Sequence, residues 1–423
     1  MSNLAHMHID PPPMPAEDAQ AAPVMKPVPR ITIHAFCEHP ETGSVIQRAG
    51  EDRRLSKAHL TVHMGGMRAA SEFYQQTATP NLILVETLAG GNELFGHLAS
   101  LAEVCDAGTK VVVLGHLNDV SVYREMIRQG VNEYLVTPLS PIQIIEAVSR
   151  LYVDPDAPPI GRSIAFMGAK GGTGSSTIAH NVGWCISTRM NEDVIITDLD
   201  LAFGTAGLDF NHDPAQGIAD ALMAPERLDD VLLDRLLVKC SDHLSLFAAP
   251  AVLDRDLDMD SESFESVLEI VRETVPCVIV DLPHIWSPWT KKLLMSADEI
   301  VITATPDLAS LRNAKNIIDL AKQTRSNDGM PHLVINQVGV PKRPEIPVKD
   351  FAEAIGIEPT LVLPFNPGLF GAAANNGQMI EELDPKNKAT EGMRYLAKQL
   401  CGRDPMPIKA AKKSFLQRLA RRG

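Results

Sequence analysis

Apolar and polar positions fall into short blocks that repeat along most of the chain. Ile31–Phe36, His59–His63, Asn81–Glu86, Lys110–Leu114 and Glu133–Val136 are apolar runs of strand length. Asn81–Glu86 (NLILVE) and Lys110–Leu114 (KVVVL) lack alternation, as expected for strands covered on both faces. Thr42–Leu55, Met67–Gln76, Ser121–Gln129 and Pro141–Tyr152 carry helical spacing between them. Five strands with intervening helices over 31–152 predict a small doubly wound α/β domain. After Asp154–Gly161 (DPDAPPIG), a natural linker placed at 153–160, a second α/β series opens with the strand Ser163–Met167. It closes near Leu400 and predicts a larger doubly wound domain over 161–402. Residues 1–30 hold seven prolines among alanines; such a stretch cannot bury a core and reads as a disordered or extended spacer. Residues 403–423 form a tail, with six basic residues and no acidic one from Ile408 onward.

Composition narrows the function classes. Apolar residues make up 45% of the 423, enough for sizeable cores, and no run of eighteen uncharged apolar residues predicts a membrane span. The N-terminus lacks the basic start and apolar stretch of a signal peptide. The six cysteines are scattered with no CxxC pair, which argues against a zinc site or a disulfide framework and fits a reducing cytoplasm. A formal net charge of −14 disfavours bulk electrostatic binding to nucleic acid.

Gly168-Ala-Lys-Gly-Gly-Thr-Gly-Ser-Ser-Thr177 lies between a strand (SIAFM) and a predicted helix, Thr177–Thr188. Glycines let backbone N–H groups turn inward, and a helix N-terminus adds partial positive charge, so the junction suits a phosphate. A glycine-rich turn alone also fits a plain tight turn, but KGGTG at a strand-to-helix junction is far more specific. The loop resembles the deviant Walker A loop, KGGxGK[ST], of the MinD/ParA family of P-loop ATPases. The resemblance implies that ATP sits on Gly171, Gly172, Thr173, Gly174, Ser175, Ser176 and Thr177. It gives Lys170 the family's signature role, reaching across a dimer to the partner's nucleotide, and gives Ser176 a Mg²⁺ ligand's role. The match fails at Ser175, where the family has the lysine that pairs with the β/γ-phosphates. Losing that contact is worth roughly 2–4 kcal/mol. Either Lys170 compensates or nucleotide binding is poor.

Val194–Asp200 (VIITDLD) is a strand ending in two aspartates, and Cys277–Pro283 (CVIVDLP) is a second apolar strand ending in Asp281. By resemblance, Asp198 and Asp281 help hold Mg²⁺ and Asp200 orients the attacking water. Read without it, the aspartates also fit loop-start caps. Ala297–Leu320 reads as strand, loop and helix. His332–Gln337 matches the strand whose asparagine, here Asn336, contacts adenine, and Pro364 falls where the family has a proline before a base-contacting loop.

Residues 31–152 resemble a response-regulator receiver domain, carried by NLILVET at the third strand and EYLVTPLS at the fifth. A generic flavodoxin-like domain of unrelated role fits the same pattern. The receiver chemistry is missing: Ala35-Phe36-Cys37 replaces the acidic pair, Glu86 stands at the acceptor place, Gly115 follows the fourth strand, and Thr137 precedes Pro138 at the lysine place. Magnesium and phosphoryl chemistry are therefore not expected there, and the domain reads as a pseudo-receiver for protein contact or localisation.

A pseudo-receiver followed by a MinD-like domain with a degraded Walker lysine resembles the CpaE/TadZ family of Tad (Flp) pilus assembly proteins. The resemblance implies a cytoplasmic homodimer at the cell pole and inner-membrane face, with the Tad secretion machinery and polar localisation proteins as partners and weak or absent ATP hydrolysis. The alternative is a ParA-type chromosome or plasmid segregation ATPase, against which the acidic charge argues. The tail fits two readings equally: a weak amphipathic contact with a membrane surface or acidic partner through Ile408, Ala411, Phe415 and Leu419, or a solvated basic end. No specific nucleic acid is expected.

Overall fold

A computed structural model describes residues 28–152, 160–249 and 259–402. The spacer up to residue 27, the linker over 153–159 and the basic tail lie outside the described residues.

Two sheets organise the chain. The first holds β1 (Thr32–Cys37), β2 (His59–Met64), β3 (Leu82–Glu86), β4 (Lys110–Gly115) and β5 (Glu133–Val136), all parallel, in the order β2-β1-β3-β4-β5. That is the flavodoxin-like winding order. In β3, Leu82 and Leu84 join one core cluster, while Ile83 and Val85 join the cluster on the opposite face. Helices therefore cover both faces, which is why the run is apolar without alternation. The helix predicted over Thr42–Leu55 instead spans Pro40–Gly50 and is followed by a separate 3-10 turn, Arg53–Leu55. Asp52 breaks it: its backbone is extended and its carboxylate accepts the N–H of Arg54, a local bond that competes with helix. A helix over Gly91–Ala102 fills the crossover between β3 and β4.

The second sheet holds β6 (Arg162–Gly168), β7 (Val194–Asp198), β8 (Val238–Ser241), β9 (Leu244–Phe247), β10 (Cys277–Leu282), β11 (Glu299–Ala304), β12 (His332–Val338) and β13 (Leu361–Pro364). Their order is β13-β12-β11-β6-β10-β7-β9-β8, parallel except for β8 against β9. Residues of the central strand β6 alternate between two buried clusters, Ala165 and Met167 on one face, Ile164 and Phe166 on the other. The chain reverses direction of winding around β6, so its C-terminal end opens a crevice, the place where such sheets bind ligands.

The two units meet through a buried ionic cluster. Asp328 accepts from Arg53 Nε at 2.9 Å, from Arg325 Nε at 3.1 Å and from the Arg54 guanidinium. Arg53 also donates to Asp298 at 3.1 Å and to the Ser296 carbonyl at 2.9 Å, and Asn327 donates to Asp52 at 3.0 Å. Burial alone raises the Asp328 carboxyl, but the Arg53 hydrogen bond and three guanidinium charges outweigh it and bring it down to about 2. No helix among the described residues is long and apolar enough to cross a membrane.

Candidate functional site

The loop after β6 is built by its carbonyls. His284 Nδ1 lies 2.9 Å from the Gly168 carbonyl, Asn313 Nδ2 donates to Ala169 at 2.9 Å, and the Thr173 hydroxyl donates to Lys170 at 3.2 Å. Gln337 Nε2 donates to Gly172 at 3.0 Å and Asn336 Nδ2 to Thr173 at 2.8 Å. In a trans peptide the N–H points opposite to the C=O. Holding the carbonyls outward therefore directs the following N–H groups to the concave side, which is what an anion needs. Gly172 and Gly174 have φ of +78° and +82°, which favours glycine, and a Cβ built on Gly171 or Gly172 meets nothing within 4 Å. The helix starts at Ser175 rather than Thr177 and runs to Met190, with Gly174 as its N-cap. Ser175 and Ser176 thus lead the positive end of a sixteen-residue helix.

Ser175 Oγ is buried with no hydrogen-bond partner among the described residues, as is Asp281 Oδ1. Orphaned buried polar atoms cost free energy unless a partner arrives. One stands at the head of the loop helix and the other near the end of β10, so the residues fit a nucleotide and its metal.

The carboxylates converge at the ends of β7 and β10, where Asp198 and Asp281 are register partners. Asp198 accepts the N–H of Asp200 and of Ala206, each at 3.1 Å, which folds residues 199–205 over the strand end. Burial, then the charge of Asp281, raises the Asp198 carboxyl above the ordinary range. Asp200 is half-buried, its carboxyl also raised chiefly by burial, and accepts the N–H of Phe203. Beneath them His180 is fully buried, with Nδ1 2.7 Å from Asp209 and Nε2 3.4 Å from Asp281, the latter an ion pair rather than a well-formed hydrogen bond. Burial pushes the imidazole down, but Asp209 and Asp281 carry it up to about 10. His180 therefore supplies part of the positive charge this cluster needs, and a divalent cation would supply more.

A raised folded-state pKa gives stability that is full below the unfolded value, near 6.5, and is lost as pH rises through the folded one, about 10. Urea unfolding should therefore show a stability loss between these limits. His180→Ala, although less stable overall, should flatten that slope.

Lys170 is bound within its own chain, its Nζ 2.6 Å from Asp307 Oδ2. Asp307 also caps the helix Leu308–Thr324 by accepting the Ser310 N–H. Burial raises the Asp307 carboxyl, but Lys170, Thr305 and Ser310 bring it down to about 2. The lysine is partly exposed, and exposed pairs of this kind are worth little, so the contact can be exchanged for another at small cost. Asn336 is buried and turned onto the loop, and Pro364 ends β13 with its side exposed, paired to Val338.

Residues 161–333 match the family model described as an AAA domain. The chain is 24% identical to the septum site-determining protein MinD of Synechocystis sp. over 273 residues, 62% of this chain and 98% of the relative. The crystal structure of a ParA family ATPase from Chlorobium tepidum shares 26% identity, covers 56% of this chain and 98% of its own, and superposes with a TM-score of 0.51. The pilus assembly protein CpaE from Caulobacter crescentus is 54% identical over 30% of this chain and 98% of the solved one, with a TM-score of 0.30. The identity, not the superposition, decides. The chain belongs to the CpaE family of pilus assembly proteins. The CpaE likeness covers the N-terminal unit, and the larger unit of this CpaE-family chain has the MinD/ParA P-loop fold.

Sequence reasoning named the loop and the three aspartates but missed His180, His284, Asn313, Gln337 and Asp307. Asp307 was legible only as a helix cap (S/T/D/N before an apolar run). The others are ordinary polar residues until the fold turns them onto the loop.

Proposed function

We propose that this chain is a dimeric, MinD-like ATP-binding protein that helps place and assemble a Tad (Flp) pilus system at the cell pole, with weak or absent hydrolysis. The observation that carries the reading is Ser175: a buried, partnerless hydroxyl at the head of the loop helix, where a motor of this fold has a lysine. The main chain of Gly171–Thr177 binds the phosphates, and Ser176, Asp198 and Asp281 would hold Mg²⁺, which neutralises phosphate charge when bound. Asn336 positions the loop and lies with Pro364 on the base side. Asp200 orients water, but with no cation from Ser175 the phosphates are less fully neutralised and turnover is slow.

Lys170 and an apolar rim support a dimer through this face. Phe203, Ile285, Trp286 and Leu308 are exposed on the segments following β7, β10 and β11, around the loop. Exposed apolar clusters near a functional loop suit a protein partner, here a second copy. The N-terminal unit acts as a docking module: Glu86 at the end of β3 is fully buried and engaged by His39 and Thr42, so it is not free to accept a phosphoryl group.

A deletion strain tests the biology. It should lack Tad pili, and a fluorescent fusion should form polar foci that Lys170→Ala disperses. Normal piliation in the deletion strain rules the reading out.

A further inference from the structure

We propose that the N-terminal unit binds one divalent ion of the zinc class between His39, Glu86 and His116. The three residues follow or end β1, β3 and β4, neighbouring parallel strands, so they meet at the C-terminal edge of the sheet. His39 Nδ1 lies 3.0 Å and His116 Nε2 3.5 Å from the same oxygen, Glu86 Oε1, and all three donor atoms fall within 4.8 Å of one another. Tetrahedral bonds of about 2.0–2.1 Å put donor atoms about 3.3 Å apart, so the cluster closes on an ion with small side-chain shifts.

The side chains around the cluster are fixed by polar neighbours. The Thr137 hydroxyl lies 2.8 Å from His116 Nδ1 and 3.2 Å from the Gly115 carbonyl, and so holds the ring through its far nitrogen. With that nitrogen engaged, His116 Nε2 is the ring atom next to the Glu86 carboxylate, 3.5 Å from Oε1. An imidazole fixed through its far nitrogen by a polar neighbour is the usual support of a metal ligand. Glu86 is likewise fixed: Oε2 accepts the N–H of Glu38 at 2.7 Å and of His39 at 2.9 Å, and Oε1 accepts the Thr42 hydroxyl at 2.8 Å.

The donor set suits a metal ion. Glu86 is fully buried while His39 and His116 are 46% and 37% exposed, so a hydrated ion has an entry path and a solvent position for its fourth ligand. Two imidazoles and one carboxylate suit zinc, cobalt or nickel and disfavour magnesium. Cysteine counting does not reveal such a site, because it contains none.

The test uses the full chain, stripped with chelator and titrated with Co²⁺, then with Zn²⁺ in competition, by visible absorption and calorimetry. One tetrahedral Co²⁺ equivalent with micromolar or tighter affinity, displaced by Zn²⁺, is expected. His39→Ala and His116→Ala should each abolish the bands. Thr137→Val, which keeps all three ligands, should weaken binding about 10- to 100-fold. Zn²⁺ should raise the melting temperature of the wild type and leave that of folded His116→Ala unchanged. Absence of tetrahedral bands in the wild type, or equal binding by the His39→Ala/His116→Ala double variant, overturns the assignment.

Discussion

Ser175→Lys should tighten MgATP binding by about 30- to 700-fold, the equivalent of 2–4 kcal/mol restored by one charged phosphate contact. The loop is otherwise complete. Its carbonyls are held outward by His284, Asn313, Gln337 and Asn336, and its glycines leave the concave side open. The serine hydroxyl is buried without a partner, so the substitution removes an unsatisfied group as well as adding a cation. Titration calorimetry with MgATP and MgADP, beside Lys170→Ala, separates two causes. A large gain shows a detuned loop. Tight wild-type binding that Lys170→Ala destroys, with little change in Ser175→Lys, shows that Lys170 compensates.

Asp328→Ala should cost about 3–5 kcal/mol, the usual consequence of removing one partner from a buried ionic cluster. Asp328 is the shared acceptor for Arg53, Arg54 and Arg325, and all four side chains are largely buried. Its removal leaves three guanidinium groups without their shared acceptor, with Asp52 beside Arg54 and Asp298 beside Arg53. Because Arg53 and Arg54 come from the first unit and Arg325 and Asp328 from the second, the loss falls on docking. Denaturation should be a single transition in the wild type and split into two in the variant. The same contact should weaken in acid. Its carboxyl sits at about 2, below its unfolded value, so its contribution is present above that unfolded value and fades as pH falls toward 2.

Much of the fold was legible because burial on both faces leaves a plain mark. NLILVE, SIAFM and CVIVDL are continuous apolar runs, and all three became strands covered on both sides. The loop was legible because its glycines and serines sit at a strand-to-helix junction, where few other uses explain them. The helix start slipped by two residues because Gly174, in the left-handed region, caps it earlier than the apolar spacing suggests. What stayed hidden is long-range. Arg53 and Asp328 are 275 positions apart, and nothing in either neighbourhood marks it as half of a pair. His180 reads as a polar position in STIAHNVG, yet the fold buries it completely against two aspartates. His39 and His116 are likewise unremarkable until adjacent strands bring them to one carboxylate.

The most direct measurement is the solution mass of the full 46.0 kDa chain by sedimentation velocity, with MgATP, with MgADP and without nucleotide. A detuned MinD-like protein should double its mass with MgATP, revert only slowly because hydrolysis is weak, and remain single when Lys170→Ala is tested. A wild-type mass that stays at 46.0 kDa under all three conditions, with no nucleotide bound, rules out a nucleotide-dependent dimer.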